Sequence, residues 1–428
     1  MKSLLIIAML IFMSGAFSSL IVPEDFNANV DTGGDTRTQL ILGVIDLGVI
    51  VASVLYGRQL VRVASQQPWI VAFVGWSVVS VAWSDFPLLT LRRVVGLVCT
   101  MLLGFLLGMR LDMKTLLRYV ALALAVTIPC SLVAAILFPS FGIMNRLDAV
   151  GWRGVFNHKN GLGGSMGIAI IAFACLYWEN RRSRLIWLAF LFPAAVLLVF
   201  SRSMTATIVT VITICIGLVG KLRLPRGQKV AFYAMGLILA LGVALYVQPR
   251  MDKVFEAMGR DSTLTGRLPL WQYSMTAVLQ RPFLGAGWDG FWPGKAADNI
   301  RNLVRWNAPH AHNSFIEMAL NIGVIGLIIF LVCVFNCFRL TMQYNKDPSN
   351  PLRLWPLLFF TFSFLAYFTE APAVDRHSLA FVLFCALPVS MTEAFRRDAI
   401  EDTQEVNEQE EEYAPLAIDS DSTVIQES

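Results

Sequence analysis

Four histidines, His158, His310, His312 and His377, are the side chains of this chain that titrate nearest to neutrality. Two stand close together in Pro309-His310-Ala311-His312-Asn313-Ser314, directly before an apolar run that reaches Phe338. An imidazole with an ordinary pKa of about 6.5, kept neutral by nearby cations, can take a proton from a hydroxyl. His310 and His312 both suit that role, and their spacing does not choose between them. A loop histidine that merely hydrogen-bonds its neighbours is the alternative. A second polar cluster, Asn157-His158-Lys159-Asn160, also precedes an apolar run. Amides and imidazole suit sugar hydroxyls, lysine suits an anion, and the adjoining glycines let backbone approach a ligand. The alternative is a capped helix start with Asn160 as N-cap.

Cations stand near both clusters. Arg92 and Arg93 close the segment WSDFPLLTLRR, and Arg153 lies just ahead of His158. Arg202 occupies a minimal turn, Ser201-Arg202-Ser203, between two apolar runs. A guanidinium at a membrane face is costly unless paired or wet, so Arg202 either snorkels to headgroups or binds a phosphate-bearing ligand. Leu264, Leu268, Trp271, Met275 and Val278 recur at spacings of four and three. That pattern predicts an amphipathic helix of about four turns lying on the membrane surface. Ser262, Thr263 and Thr265 are its cap residues and Pro282 ends it. Arg267 falls in its first turn, where free N–H groups favour an anion; an ordinary surface charge is the other reading.

The elements that must position these groups are membrane helices. The chain has 428 residues, 56% hydrophobic and 15% charged, well below the charge of a soluble domain. Twelve apolar runs are long enough to span, near 3–22, 40–56, 68–83, 94–109, 117–138, 161–178, 185–200, 204–220, 230–247, 315–338, 354–369 and 378–394. The expected fold is an all-α polytopic membrane protein of about 12 transmembrane helices. Ser314-x-x-Glu317 reads as a capping box opening the tenth. Lysine and arginine in the short loops put the N-terminus inside, so twelve spans return the C-terminus to the cytoplasm. All four histidines and the cations above then face outward, and 248–314 is a large outer loop. Residues 1–394 form the membrane domain, and 395–428 read as an acidic, disordered cytoplasmic tail. Read as a signal peptide, the first run is long in its apolar part, though Ser14-Gly15-Ala16 offers a weak cleavage site, and cleavage there would leave the other eleven spans oriented as before.

All seven cysteines lie inside apolar runs and read as small hydrophobes, with no metal site implied. There is no Walker-type loop, no G-x-G-x-x-G and no basic-aromatic face for nucleic acid. Transport is a competing class, but Asp46 is the one plainly intramembrane acid and the two halves do not match. A scaffold without catalysis would leave Arg202 and the His310–Asn313 cluster unexplained.

The residues resemble the O-antigen ligase and Wzy-type polymerase superfamily. Its signature, His-Asn, nine residues and Gly-x-x-Gly, is matched by His312-Asn313, Ser314 to Ile322, and Gly323-Val324-Ile325-Gly326. That register selects His312 over His310. SRSMTA around Arg202 and TGRLPLW around Arg267 look like family motifs, and WSDFPLLTLRR with RGVFNHKNGLG looks like the ExoQ-type exopolysaccharide polymerases. The resemblance implies a glycosyltransferase of the bacterial inner membrane, with its active site on the periplasmic side. Arg202 and Arg267 would bind the diphosphate of an undecaprenyl-diphosphate-linked oligosaccharide. His312 would deprotonate the acceptor hydroxyl in an inverting transfer that needs no metal or other cofactor. Arg92, Arg93, Arg153, Asn157, His158, Lys159, Asn160, His310 and Asn313 are further candidates for substrate contact. Membrane lipids and a chain-length-determining co-polymerase are candidate partners. An O-antigen ligase, moving polymer onto lipid A-core, is the neighbouring reading.

Overall fold

The computed structural model describes residues 2–17, 36–146, 149–222, 267–347, 349–370 and 375–413, with 225, 227 and 228 besides. It is an all-α polytopic membrane protein. The chain begins with α1 (Lys2–Met13), α2 (Thr36–Leu55), α3 (Gly57–Gln66), α4 (Pro68–Val79), α5 (Pro87–Arg110) and α6 (Met113–Leu137). It continues with α7 (Lys159–Glu179), α8 (Arg184–Phe200) and α9 (Met204–Lys221). Beyond the undescribed residues come α10 (Arg267–Gln280), α11 (Lys295–Val304), α12 (Ser314–Tyr344), α13 (Leu354–Ala366) and α14 (Leu379–Tyr413). Long helices that are apolar around most of their circumference must be covered by neighbours or by lipid, because a lipid-exposed backbone has no other partner for its polar groups. Among the described residues, seven helices are long and apolar enough to cross a membrane. An eighth arises if α2 and α3, bent by 93°, count as one span. Helices 3–13, 68–83 and 354–366 are apolar but shorter. Eleven of the twelve apolar runs thus carry a helix, while 230–247 lies outside the described residues.

The centre of the bundle is α7, which packs on α6, α8, α9 and α13. Its apolar residues from Leu162 to Leu176 are nearly all buried. On the other side α5 lies along α14, and α4 lies against α12. Between α6 and α7 the chain makes a small antiparallel hairpin, β1 (Ile143–Arg146) with β2 (Ala149–Trp152), in the register Ile143 to Trp152. No alternation in the sequence announced it.

Three local expectations change. First, the N-cap of α12 is Asn313, whose side chain accepts from Phe315 N and Ile316 N at 3.0 and 3.1 Å. The expected capping box at Ser314 is not formed, because Glu317 turns to other partners. Second, α10 buries Leu270, Ser274 and Val278 against α12, whereas Leu268 and Met275 of the expected apolar face are exposed. Its cap residues 262–265 lie outside the described residues. Third, α14 runs on to Tyr413, so the acidic stretch is helical over 395–413.

The α12 helix is broken at Gly323, where φ is +69°. A Cβ there would overlap the Phe283 carbonyl. The loop after α10 fills the break: Val324 N donates to Pro282 O at 2.7 Å, and Trp76 Nε1 donates to Ile322 O at 3.1 Å. Backbone groups freed by the break are thereby satisfied, and the loop after α10 is fixed to the bundle. Gly323→Ala should therefore cost at least the about 1–3 kcal/mol of a strained backbone, read as a lower apparent Tm of the detergent-solubilised protein. Gly75→Ala in α4, where a Cβ meets nothing within 4 Å, should leave Tm unchanged or raised.

Candidate active site

The segment from Trp306 to Ser314 carries both neighbouring histidines, and its shape is set by a buried carboxylate. Glu317, one turn into α12, accepts from Ala311 N at 2.8 Å, from Trp292 Nε1 at 2.9 Å and from Asn321 Nδ2 at 2.9 Å. The bond to Ala311 pins the peptide that joins His310 to Ala311. His312 itself has φ +49°, a conformation that costs a non-glycine residue free energy. Its backbone N–H donates to His310 Nδ1 at 3.3 Å, and the two rings lie 4.1 Å apart. His310 is thus spent on the loop. Burial, and then the adjoining His312, His158 and Arg267, push its pKa well below the usual imidazole value, so it is neutral at pH 7.

Opposite His312 stands a residue that no sequence pattern had singled out. Glu370 follows α13, and its Oε2 is 3.8 Å from His312 Nδ1, a buried nitrogen with no hydrogen-bond partner among the described residues. Glu370 Oε1 accepts from Arg267 Nη2 and from Asn160 Nδ2, each at 3.2 Å. Arg267 also donates to the Thr369 carbonyl. The segment is held to α12 by Ser314, whose hydroxyl donates to Glu370 O at 2.8 Å and whose N–H donates to Tyr367 O at 2.9 Å. Asn313 Nδ2 adds a bond to Phe368 O at 3.1 Å. Burial alone would raise the Glu370 pKa, but the facing His312 imidazole and the Arg267 charge outweigh it and hold the carboxyl below the ordinary range. An ionised carboxylate so placed can orient the imidazole and stabilise the imidazolium that forms when His312 takes a proton.

The second polar cluster joins the first through α7. His158 is the N-cap of that helix, its Nδ1 accepting from Asn160 N at 3.1 Å; Asn160, the expected cap, instead reaches Glu370. One turn further on, Gly163 meets the Arg202 turn closely: a Cβ there would lie 2.8 Å from Ser203 Cβ and 3.0 Å from Ser201 Oγ. Residues 160 and 163 share a helix face, so the turn stands over the same side of α7 as Glu370. Arg202 has φ +53° and is exposed, and its guanidinium makes no hydrogen bond or ion pair among the described residues. Arg202 thus carries unused donors on a turn packed against α7, the helix whose Asn160 reaches Glu370.

Other candidates have structural work. Arg153 is buried, donates from Nε to Phe141 O at 2.6 Å and stacks 5.5 Å from the Phe141 ring, which makes it a brace for the hairpin. Lys159 donates to Val150 O at 3.3 Å. Asn157 is exposed. Arg93 is buried on Asp289: its Nε is 3.3 Å from Asp289 Oδ2, and its guanidinium also donates to the Asp289 carbonyl. Arg376 Nη1 meets the same carboxylate at 2.5 Å. Arg92 is exposed and donates to Gln39 at 3.3 Å. The pair Arg92–Arg93 therefore ties α5 to neighbouring segments, because a buried guanidinium needs a carboxylate partner and Asp289 supplies it. His377 pairs with Asp46 at 2.9 Å, which accounts for the lone intramembrane acid.

Residues 187–331 match the O-antigen ligase family. The exopolysaccharide production protein ExoQ of Rhizobium meliloti (strain 1021) is 28% identical over 302 residues, 66% of this chain and 68% of that protein. A general O-oligosaccharyltransferase of Acinetobacter baylyi is 25% identical over 277 residues, 59% of this chain and 48% of that protein. A polysaccharide ligase of Rickettsia conorii, named there as a provisional assignment, is 28% identical over 120 residues, 27% of each chain. These likenesses are all to proteins named for polysaccharide or oligosaccharide production or transfer. The match includes Arg202, Arg267 and His312; Glu370 lies beyond it.

A depressed carboxylate pKa has a defined consequence for stability. The Glu370 contribution is fully present above the ordinary glutamate value of about 4.3 and is lost as pH falls through the lower folded-state value. The wild-type Tm should therefore fall more steeply below about pH 4.3 than that of Glu370→Gln. Parallel Tm curves for the two proteins would contradict the role given to Arg267 and His312.

Proposed function

We propose that the protein is a polysaccharide polymerase of the bacterial inner membrane, working at the periplasmic face with both termini in the cytoplasm. It joins oligosaccharide repeat units carried on undecaprenyl diphosphate. The observation that carries this reading is the Glu370 cluster, which gathers Arg267, Asn160 and the His312 imidazole beside the Arg202 turn.

The chemistry follows from charges. Arg202 and Arg267 hold the diphosphate of the donor; planar guanidinium groups suit two adjacent phosphates. His312, with its Nδ1 side turned to Glu370, uses Nε2 to take the proton of the acceptor hydroxyl. The hydroxyl oxygen attacks the anomeric carbon from the face opposite the leaving group. The new glycosidic bond forms as the bond to the diphosphate oxygen breaks, so the configuration inverts. The arginines stabilise the negative charge that develops on undecaprenyl diphosphate. Glu370 stabilises the transient imidazolium and keeps Arg267 in place between turnovers. Asn160 and Asn313 hold this carboxylate and the His312 loop, so their part is positioning.

A second reading, transfer of finished polymer to lipid A-core, is favoured by the O-antigen ligase match over 187–331. Single substitutions separate the two. His312→Ala should lower transfer by about 10²–10⁴-fold, and Arg202→Ala or Arg267→Ala by about 10²–10³-fold, at unchanged membrane levels. In a polymerase, cells carrying His312→Ala should accumulate single lipid-linked repeat units. Finished polymer retained on the lipid carrier would instead support the ligase, and normal product from His312→Ala would overturn both.

A further inference from the structure

The WSDFP segment before α5 has no part in the chemistry above, yet the structure gives it a surface. Trp83, Asp85 and Phe86 stand beside the C-terminal end of α10 and the loop that follows. Two adjoining cavities open there, each of about 430 Å³, and they share Asp85 and Arg281. Trp83 lines the first, with Phe283 at its rim; Phe86, Gln280 and Lys295 line the second.

The lining is built rather than incidental. Trp83 Nε1 donates to Leu284 O at 2.9 Å, and its ring packs on Trp76 with centroids 5.3 Å apart. The indole is therefore locked and its polar atom satisfied, leaving an apolar ring surface. Ser84 Oγ bonds Thr90 Oγ1 at 2.8 Å and accepts from Phe86 N at 3.1 Å, which fixes the turn between the two aromatics. Arg281 Nη1 lies 2.8 Å from both Asp85 oxygens, and both side chains are about half exposed, 54% and 47%. Only one of the guanidinium nitrogens is engaged among the described residues, so further donors remain, and the carboxylate keeps lone pairs. Fixed aromatic rings beside a planar array of donors and acceptors are what a carbohydrate needs: rings for its C–H faces, paired polar groups for vicinal hydroxyls.

The position along the chain suits an elongated ligand. Arg267 and Gln280 are the two ends of α10, a helix of 14 residues and so about 20 Å long. A glycan reacting at Arg267 and lying along this helix would reach the second surface several sugar rings away. We propose that this cleft, formed by Trp83, Asp85, Phe86, Gln280, Arg281 and Lys295, is a glycan subsite. It binds the part of the oligosaccharide remote from the reacting bond. The inference rests on the polymerase or ligase reading above for its ligand, since both handle a sugar chain.

The test uses the full-length protein carrying His312→Ala, so that nothing turns over. It is titrated with oligosaccharides released by mild acid from the host's own polysaccharide, with binding read by calorimetry and by saturation-transfer NMR. Trp83→Ala, and separately the paired change Asp85→Asn with Arg281→Gln, should each weaken binding about tenfold, the effect expected for losing an anchor residue. The paired change removes both charges while leaving the packing of Trp83 on Trp76 in place, and so guards against misfolding. In cells with intact His312, the ratio of long polymer to the first coupled product should fall about tenfold. Fragment binding equal to that of the parent would overturn the subsite. So would a change confined to partition into phosphatidylethanolamine–phosphatidylglycerol vesicles, which would make the cleft a membrane anchor. If His312→Ala leaves product formation intact, it is the enzymatic reading that fails; if it blocks product while the cleft variants bind fragments normally, the subsite alone fails.

Discussion

A carboxylate partly withdrawn from water must be compensated, and the Glu370 side chain, 27% exposed, is compensated from three separate segments. Arg267 comes from α10, Asn160 from the start of α7 and His312 from the loop before α12, while Ser314 in the first turn of α12 holds the Glu370 backbone carbonyl. Asn160, Arg267 and His312 lie on three segments well separated in sequence. An uncompensated ionised carboxylate would cost several kcal/mol in such surroundings, so the bundle gains by assembling them together. The same charge that organises the structure also faces the His312 imidazole and neutralises Arg267 in part. That leaves Arg202 as the cation with donors to spare.

Around this hub the architecture is devoted to holding a loop still. Glu317 fixes the peptide ahead of His312, and Asn313 caps α12 behind it. The Gly323 break admits the loop after α10 into the bundle, and Asp289 joins that loop to Arg93 and Arg376. A histidine forced into a left-handed conformation is a strained arrangement, and strain of this kind persists only where its surroundings over-determine it. The interlocking of α12, the 282–294 loop and the 367–370 segment supplies that determination. Under the proposed mechanism it also bears on rate, since a base displaced by about 1 Å loses much of its effect.

Much of the helical scaffold was legible in the sequence, because long apolar runs have few alternatives in lipid. Eleven of the twelve runs carry a helix, and Arg267, His312 and Asn160 stand out as a cation in the first turn of an amphipathic helix, one of a histidine pair, and part of a polar cluster ahead of an apolar run. What remained hidden has one physical cause: it depends on contacts between distant segments. Glu370 is an unremarked acid in a short loop, and its partners lie 56 to 210 residues away. Glu317 has the spacing of a capping box, and only the fold reveals that it faces Trp292 and Ala311 instead. Arg93 looked available because its partner, Asp289, belongs to a segment some two hundred residues later. A faint signal for Glu370 did exist, since the connection between the last two apolar runs holds only two acids, Glu370 and Asp375, among little else that could balance an arginine.

The central claim is that Arg202 and Arg267 clasp one diphosphate within reach of the His312 imidazole. An experimental structure of the His312→Ala protein in a lipid nanodisc, loaded with its lipid-linked repeat unit, tests it directly. The account predicts diphosphate density bridging the two guanidinium groups, with the anomeric carbon turned toward the space the imidazole vacated. Diphosphate bound away from either arginine, or a sugar whose reacting carbon points away from position 312, would contradict it.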